Sequence, residues 1–247
     1  MAEPQISVIT SPSDFSSIFY CISESFGRQA QDGVWLSLNP KWETPEGQAR
    51  GTAELTARFN HIKNNNNNDP NTVFLKATLP DPANESQTRI VGMAIWQQAS
   101  FVEGYGDPPS NDLPPSVKEL PEPQQRFARQ MFASLWKRRI AYVREKAESK
   151  ADPPAIFVLD MCCVDPAFQR RGIAQKLVEW GLQEAQRRGG LECTTEGSSM
   201  GRGVYKKLGF ESEGDGDIVY EVDDEFKDWS KPPNVFLRTC AKKGAES

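Results

Sequence analysis

The stretch from Ala155 to Arg188 constrains the fold more than any other part of this 247-residue chain. AIFVLDMCCV, Ala155 to Val164, is a nearly continuous apolar run of strand length, as expected of a central strand buried on both faces. Asp165-Pro166 stops it. From Gly172 to Arg188 the period becomes helical, with Ile173, Leu177, Val178 and Leu182 on one side. A buried strand that gives way within a few residues to an amphipathic helix points to an α/β architecture.

The remaining elements fit around that pair. Ile6 to Thr10 alternates as a short strand, and Ser13 and Asp14 are helix caps ahead of Phe15, Ile18, Phe19 and Ile22, with the helix ending near Gly27. Residues 28 to 46 read as loop. Pro45 opens a second helix that carries Leu55 and Phe59 and stops before the asparagine run Asn64 to Asn68. Thr72 to Leu79 and Arg89 to Gln98 are strands joined by a hairpin-type link, PDPANESQT. Ser100 to Pro123 is too rich in Pro, Gly and acidic residues to be regular. Glu122 to Ser149 is a long helix whose stripe (Phe127, Met131 and Leu135, with Phe132, Trp136 and Ile140) reads as core packing in preference to a ligand wall. Leu191 to Thr195 is a strand, Ser199 to Leu208 a helix, and Asp217 to Val222 and Asn234 to Thr239 two closing strands. There is no repeat and no strong linker, so residues 1–247 are expected to form a single domain with an insertion over about 100–154.

Composition removes several function classes. A net charge of -5 argues against a protein whose main task is holding nucleic acid. No stretch approaches the ~20 apolar residues of a membrane span, and the N-terminus lacks the layout of a secretory signal. A cytoplasmic protein without a membrane partner is expected, although a nuclear one would look the same; the sequence leaves the oligomeric state open. Cys21, Cys162, Cys163, Cys193 and Cys240 are odd in number and lack C-x-x-C spacing, so they read as free, mostly buried thiols, with no metal site. The single histidine, His61, sits beside the asparagine run as a solvated helix-end residue. Triad chemistry needs an imidazole in the constellation. Catalysis here must therefore run on carboxylates, hydroxyls, backbone groups or a bound cofactor.

The junction between the central strand and its helix carries QRRGIA, Gln169 to Ala174. The first turn of a helix leaves N–H groups without intrahelical partners, and the dipole makes that end positive. Gly172 allows close backbone approach to an anion, Arg170 and Arg171 add charge, and Ala174 stays small. That composition suits a pyrophosphate. Taken alone, the six residues fit a solvated basic loop equally well.

Strand, V-D-P, Q-R-R-G-I-A and helix together resemble the acyl-CoA-binding motif of the GNAT N-acetyltransferases, whose pattern is Q/R-x-x-G-x-G/A. Gln169, Arg170, Arg171, Gly172, Ile173 and Ala174 match it without gaps. SSMGRGVYKKLGF, Ser198 to Phe210, resembles the family's later helix, where a tyrosine is followed by three residues and then G-F; Tyr205, Gly209 and Phe210 fill those places. The resemblance is close from Ala155 to Phe210 and loose elsewhere.

The resemblance implies a mixed, mostly antiparallel central sheet splayed at the fourth strand and flanked by helices, with a long helical insertion between the third and fourth strands. It implies acetyl-CoA (coenzyme A) as donor, its pyrophosphate on the amides of Gln169 to Ala174. Cys162, Cys163 and Val164 would give main-chain contacts to the pantetheine arm and thioester. Tyr205 would be general acid for the departing thiolate. Ser198 stands where many members carry a cofactor-contacting asparagine. The reaction implied is acetyl transfer to a primary amine of a small molecule or peptide, by direct attack through a tetrahedral intermediate. The alternatives are transfer of a longer acyl group and a catalytically silent CoA-binding module.

The resemblance supplies no matched base. Asp160 is a candidate because a carboxylate inside an apolar run needs a reason to be there. Pairing with a buried arginine would be an equal reason. Glu196, after the next strand, is a second candidate and Glu24, on the first helix, a third. Trp35, Trp42, Trp96 and the stretch around Tyr105 are possible walls for an acceptor.

Overall fold

A computed structural model describes residues 2–81, 84–213 and 216–239. Cys240 lies outside them, as do Pro82 and Ala83 of the hairpin link. Seven strands form one sheet in the order β1-β2-β3-β4-β5-β7-β6. β1 (Gln5–Val8), β2 (Thr72–Asp81), β3 (Asn84–Ala99) and β4 (Ile156–Val164) are successively antiparallel. β4 runs parallel to β5 (Glu192–Gly197), and β7 (Val235–Thr239) pairs antiparallel with both β5 and β6 (Phe210–Ser212).

β4 shapes the site. Its register against β3 slips by one residue, with Leu159 opposite Trp96 and Met161 opposite Ile95, so Asp160 is an extra residue in a bulge. A bulge bends its strand and increases the local twist. Pairing with β5 covers only Ile156–Val158 against Glu192–Thr194. Beyond that the two strands part, and Thr195 Oγ1 donates to the Leu159 carbonyl at the parting (3.0 Å). The splay at the fourth strand is therefore present, and Asp160 stands beside its apex.

The bulge also sorts side chains between faces. Phe157, Leu159, Cys162 and Val164 join the core under α5 (Ile173–Arg187), whereas Met161 and Cys163 join the core under α1 (Phe15–Ile22) and α3 (Pro45–Asn60). Cys162 and Cys163 thus point to opposite faces, as strand alternation requires. The described cysteines are free thiols.

α5 buries Ile173, Leu177, Val178, Gly181 and Ala185, which recur at helical spacing. Gly181 is placed for contact: a Cβ there would lie 1.9 Å from the ring of Trp96, which stacks on Phe157 with centroids 5.1 Å apart. Gly181→Ala is expected to cost about 1–3 kcal/mol by overpacking. Urea unfolding checks this, and parent-like stability would contradict the contact.

Several elements differ from the sequence reading: a 3-10 turn at Pro115–Glu119 interrupts the stretch read as irregular, β6 is absent from that reading, and Asp14 stands at the start of α1 without a side-chain cap bond while Ser11 caps the 3-10 turn before it. Residues 28 to 46 are not all loop: α2 (Gly33–Leu38) forms there, capped by the Asp32 carboxylate, which accepts the Trp35 N–H at 2.9 Å. α1 runs on as a π-helix over Ser23–Gln29, and its Ser25 hydroxyl donates to the Val164 carbonyl. The helix read over Ser199 to Leu208 is shorter, α6 (Arg202–Lys207). Asp217 to Val222 is not a strand. Its alternating Ile218, Tyr220 and Val222 pack toward the long helix α4 (Glu122–Glu148), and the Glu221 N–H bonds to Ser134 of that helix. An apolar alternation needs only an apolar surface, and a helix provides one as well as a sheet. Among the described residues no helix is long and apolar enough to cross a membrane.

Candidate active site

The splay opens into a cavity of about 940 Å³. Its floor is β4 from Leu159 to Cys162 and β5 with Thr195 and Glu196; Ser198 and Tyr205 follow from the turn and α6. Trp35 and Leu38 of α2, Leu55 and Arg58 of α3, and Phe132, Leu135, Trp136 and Arg139 of α4 wall it, and the 110–115 loop completes the rim. Residues 110–115 and α4 therefore help to build the site. The α4 stripe is only in part core: Phe127 and Met131 pack near Phe226, while Phe132, Leu135 and Trp136 face the cavity. Of the proposed aromatic walls, Trp35 lines it; Trp42 and Trp96 are core, and Tyr105 packs on the main core.

At the apex lies a buried ion cluster. Arg139, 2% exposed, donates from Nη1 to Asp160 Oδ1 (2.8 Å) and as a fork to Glu196, with Nε to Oε1 at 3.1 Å and Nη2 to Oε2. Arg58 Nη1 reaches the other Asp160 oxygen at 2.9 Å. Two carboxylates and two guanidiniums thus meet where the strands part. Burial alone would raise Asp160, but the charges of Arg58 and Arg139 outweigh it and hold this carboxyl at about 2. Glu196 moves the other way: burial and the neighbouring Asp160 charge raise it above its ordinary value despite Arg139. Two carboxyls with pKa values pushed apart are what acid–base chemistry uses.

This changes the ranking of bases. Asp160 is the arginine-paired carboxylate that the apolar run allowed for, and its low basicity makes it a poor proton acceptor. Glu196 is the better one. Glu24 is taken by Arg28 at 3.1 Å and does not line the cavity. His61 stands at the C-terminal end of α3 on the cavity rim, exposed, its Nδ1 2.7 Å from the Ala57 carbonyl. Arg139 and Arg58 escaped the sequence reading, since neither lies near its partners along the chain.

Tyr205 is buried against β5. Its ring fits because Gly197 and Gly201 lack side chains: a Cβ would come within 3.1 and 2.7 Å of it. Burial, with Cys162 and Cys163 nearby, pushes its phenol well above the ordinary value, so it is a protonated donor at neutral pH. Burial also raises the Cys162 thiol to about 12, which leaves it a neutral wall atom. Cys163 points away, with its sulfur 3.9 Å from that of Cys21. The Ser198 hydroxyl accepts the Gly201 N–H at 3.3 Å, capping the turn into α6.

The second half of the site is the loop after β4. Asp165 ends the strand by accepting the Ala167 N–H (2.9 Å) and pairing with Arg89 (3.0 Å). Gln169 is held by a two-way bond with Gln29 and by Nε2 to the Val164 carbonyl (3.1 Å). Arg170 and Gly172 both have positive φ, 63° and 76°, which turns the backbone sharply into α5. Gly172 has no side-chain cap to offer, and a Cβ built on it would enter open space. Among the described residues, the N–H groups of Arg170, Arg171, Gly172, Ile173 and Ala174 meet no protein acceptor. Ile173 is buried, Ala174 half-buried, and the two arginines are exposed. Unpaired donors, a helix N-terminus, open space over a glycine and two exposed arginines, Arg171 lying over the Phe168 ring at 5.2 Å, fit a diphosphate.

Residues 130–212 match the family model described as the acetyltransferase (GNAT) domain. No curated protein matches the chain. Among solved structures, arylalkylamine N-acetyltransferase 2 from Aedes aegypti is 17% identical with a TM-score of 0.56, covering 97% of this chain and 99% of that one. A histone acetyltransferase HPA2 and related acetyltransferase from Corynebacterium glutamicum is 17% identical at a TM-score of 0.53, with 98% and 97% covered. A mutant agmatine N-acetyltransferase is 10% identical at 0.57, with 95% and 96% covered. At these identities the structures establish the fold, and the family model adds the motif region. Residues 130–212 thus match a GNAT acetyltransferase domain, and the chain as a whole shares the fold of these acetyltransferase structures.

Proposed function

We propose that this protein, as a single GNAT domain of the cytoplasm, transfers the acetyl group of acetyl-CoA to a primary amine bound in the insertion-walled cavity. The observation that carries the reading is the placement of Glu196 and Tyr205 on one cavity beside the open edge of β4. Acetyl-CoA supplies the electrophile, an acetyl thioester. The amides of Arg170 to Ala174, with Arg170 and Arg171, bind its diphosphate. The β4 edge beyond Val158 offers backbone groups to the pantetheine arm and the thioester oxygen. Glu196 takes the proton of the attacking amine, and Tyr205 donates one to the departing thiolate. Asp160 stays ionised and balances the arginines. Free cysteines among the described residues suit a reducing compartment.

The cavity favours a cationic acceptor. Asp32, Glu54, Asp112, Asp160 and Glu196 line it against the guanidiniums of Arg58 and Arg139. Relatives in fold named for arylalkylamines and agmatine act on primary amines, which agrees with that surplus. A second reading, a longer acyl donor, draws on the apolar volume that adjoins Cys162. Comparing acetyl-CoA with octanoyl-CoA as donors in a thiol-release assay separates the two.

Two results follow. Tyr205→Phe is expected to lower kcat by about tenfold or more, the scale of one acid–base contribution; unchanged turnover would remove Tyr205 from the chemistry. Glu196 must be deprotonated to act, and its folded-state pKa is raised. Activity is therefore lost as pH falls through that raised value, and the acid limb of kcat/KM should lie above the ordinary 4.5. A limb at or below 4.5 would contradict Glu196 as the base.

A further inference from the structure

Arg139 lies on the insertion helix, yet its guanidinium bridges the two strands that part at the site. One fork holds both Glu196 oxygens on β5, and the remaining nitrogen holds Asp160 in the β4 bulge. We infer that Arg139 is a positioning residue that orients the Glu196 carboxylate and sets its affinity for a proton. The inference rests on the reading of Glu196 as base.

Geometry carries it. A bidentate guanidinium fixes the plane of its carboxylate, because both oxygens must face the fork. Only the outward lone pairs of Glu196 are then left for an amine in the cavity. Among the described residues the charged and titratable groups around Glu196 include Arg139 from α4, Asp160 from β4 with Arg58 of α3 behind it, and the Tyr220 phenol from the 216–234 segment, with Asp32 ahead of α2 and Tyr205 of α6 on the same cavity. Within this set the arginines and Asp160 act in opposite senses. Removing the Arg139 charge leaves two buried carboxylates with only Arg58, so Glu196 must hold its proton to higher pH. Removing the Asp160 charge leaves Glu196 facing the Arg139 guanidinium without the neighbouring carboxylate, so it must lose its proton at lower pH. A lysine would keep the charge but not the fork.

The test uses the full-length protein labelled with carboxyl-13C glutamate, with the Glu196 resonance assigned by its loss in Glu196→Gln. Arg139→Gln should raise the Glu196 midpoint by about one unit or more, and Asp160→Asn should lower it. Arg139→Lys should leave the midpoint near the parent's while kcat, measured with acetyl-CoA and 2-phenylethylamine, falls about tenfold with the acetyl-CoA KM unchanged. If Arg139→Gln does not fold, Asp160→Asn and Arg139→Lys still decide. Midpoints that stay put, or that move in the same direction in both charge variants, overturn the inference; so does full kcat in Arg139→Lys. Parent-like turnover in Glu196→Gln overturns the base reading itself, whatever the midpoints do.

Discussion

Glu196→Gln is expected to lower kcat by about 10²–10⁴-fold, the range for removing a positioned general base. Glutamine keeps nearly the same shape but leaves Arg139 one acceptor in place of two, so the melting temperature is measured alongside to separate the lost proton acceptor from the broken fork. The acetyl-CoA dissociation constant should stay within about twofold of the parent, because the amides proposed to receive the diphosphate lie on the β4–α5 loop and not on β5. Steady-state kinetics with calorimetry on the same preparation checks both halves. A fall in donor affinity that matched the fall in kcat would show a collapsed splay, not a missing base.

Gly172→Glu is the second large effect, and it acts on the other half of the site. The substitution forces a side chain onto a backbone at φ 76° and directs it into the open space above the unpaired amides. It also puts a carboxylate where the proposed diphosphate would sit. Acetyl-CoA affinity should fall at least 100-fold, about 2.7 kcal/mol, with a modest fall in melting temperature from a non-glycine residue held at positive φ, although a Cβ there meets no protein atom within 4 Å. Retained binding would place the donor somewhere other than QRRGIA.

How legible the site was depended on the distance over which its parts interact. The turn proposed to hold the donor is local: a strand end, a turn and a helix start lie within about ten residues, so its shape could be read from one segment. The order and length of β4 and α5 were equally plain, because an apolar run and a helical stripe each carry a signal in one segment. The ion cluster is different. Arg139 is 21 residues from Asp160 and 57 from Glu196, and nothing near it marks one basic residue of a charged helix as the buried one. Asp160 was conspicuous within its apolar run, but the reason for it lay on another element. α2 was missed because six residues are too few to display a period. Asp217 to Val222 alternated like a strand and found a helix surface instead. Phe132 and Trp136 matched a core stripe, and only the packing of α4 across the splay shows that this side of the helix borders a cavity.

The account stands or falls on whether an amine is acetylated at this cavity. The direct measurement is mass spectrometry of reactions holding the protein, acetyl-CoA and either 2-phenylethylamine or 1,4-diaminobutane, with free thiol counted in parallel. The account predicts one N-acetyl product for each thiol released, with both lost together in Glu196→Gln. Thiol release without an acetylated amine, or no release from a protein that binds acetyl-CoA, would contradict it.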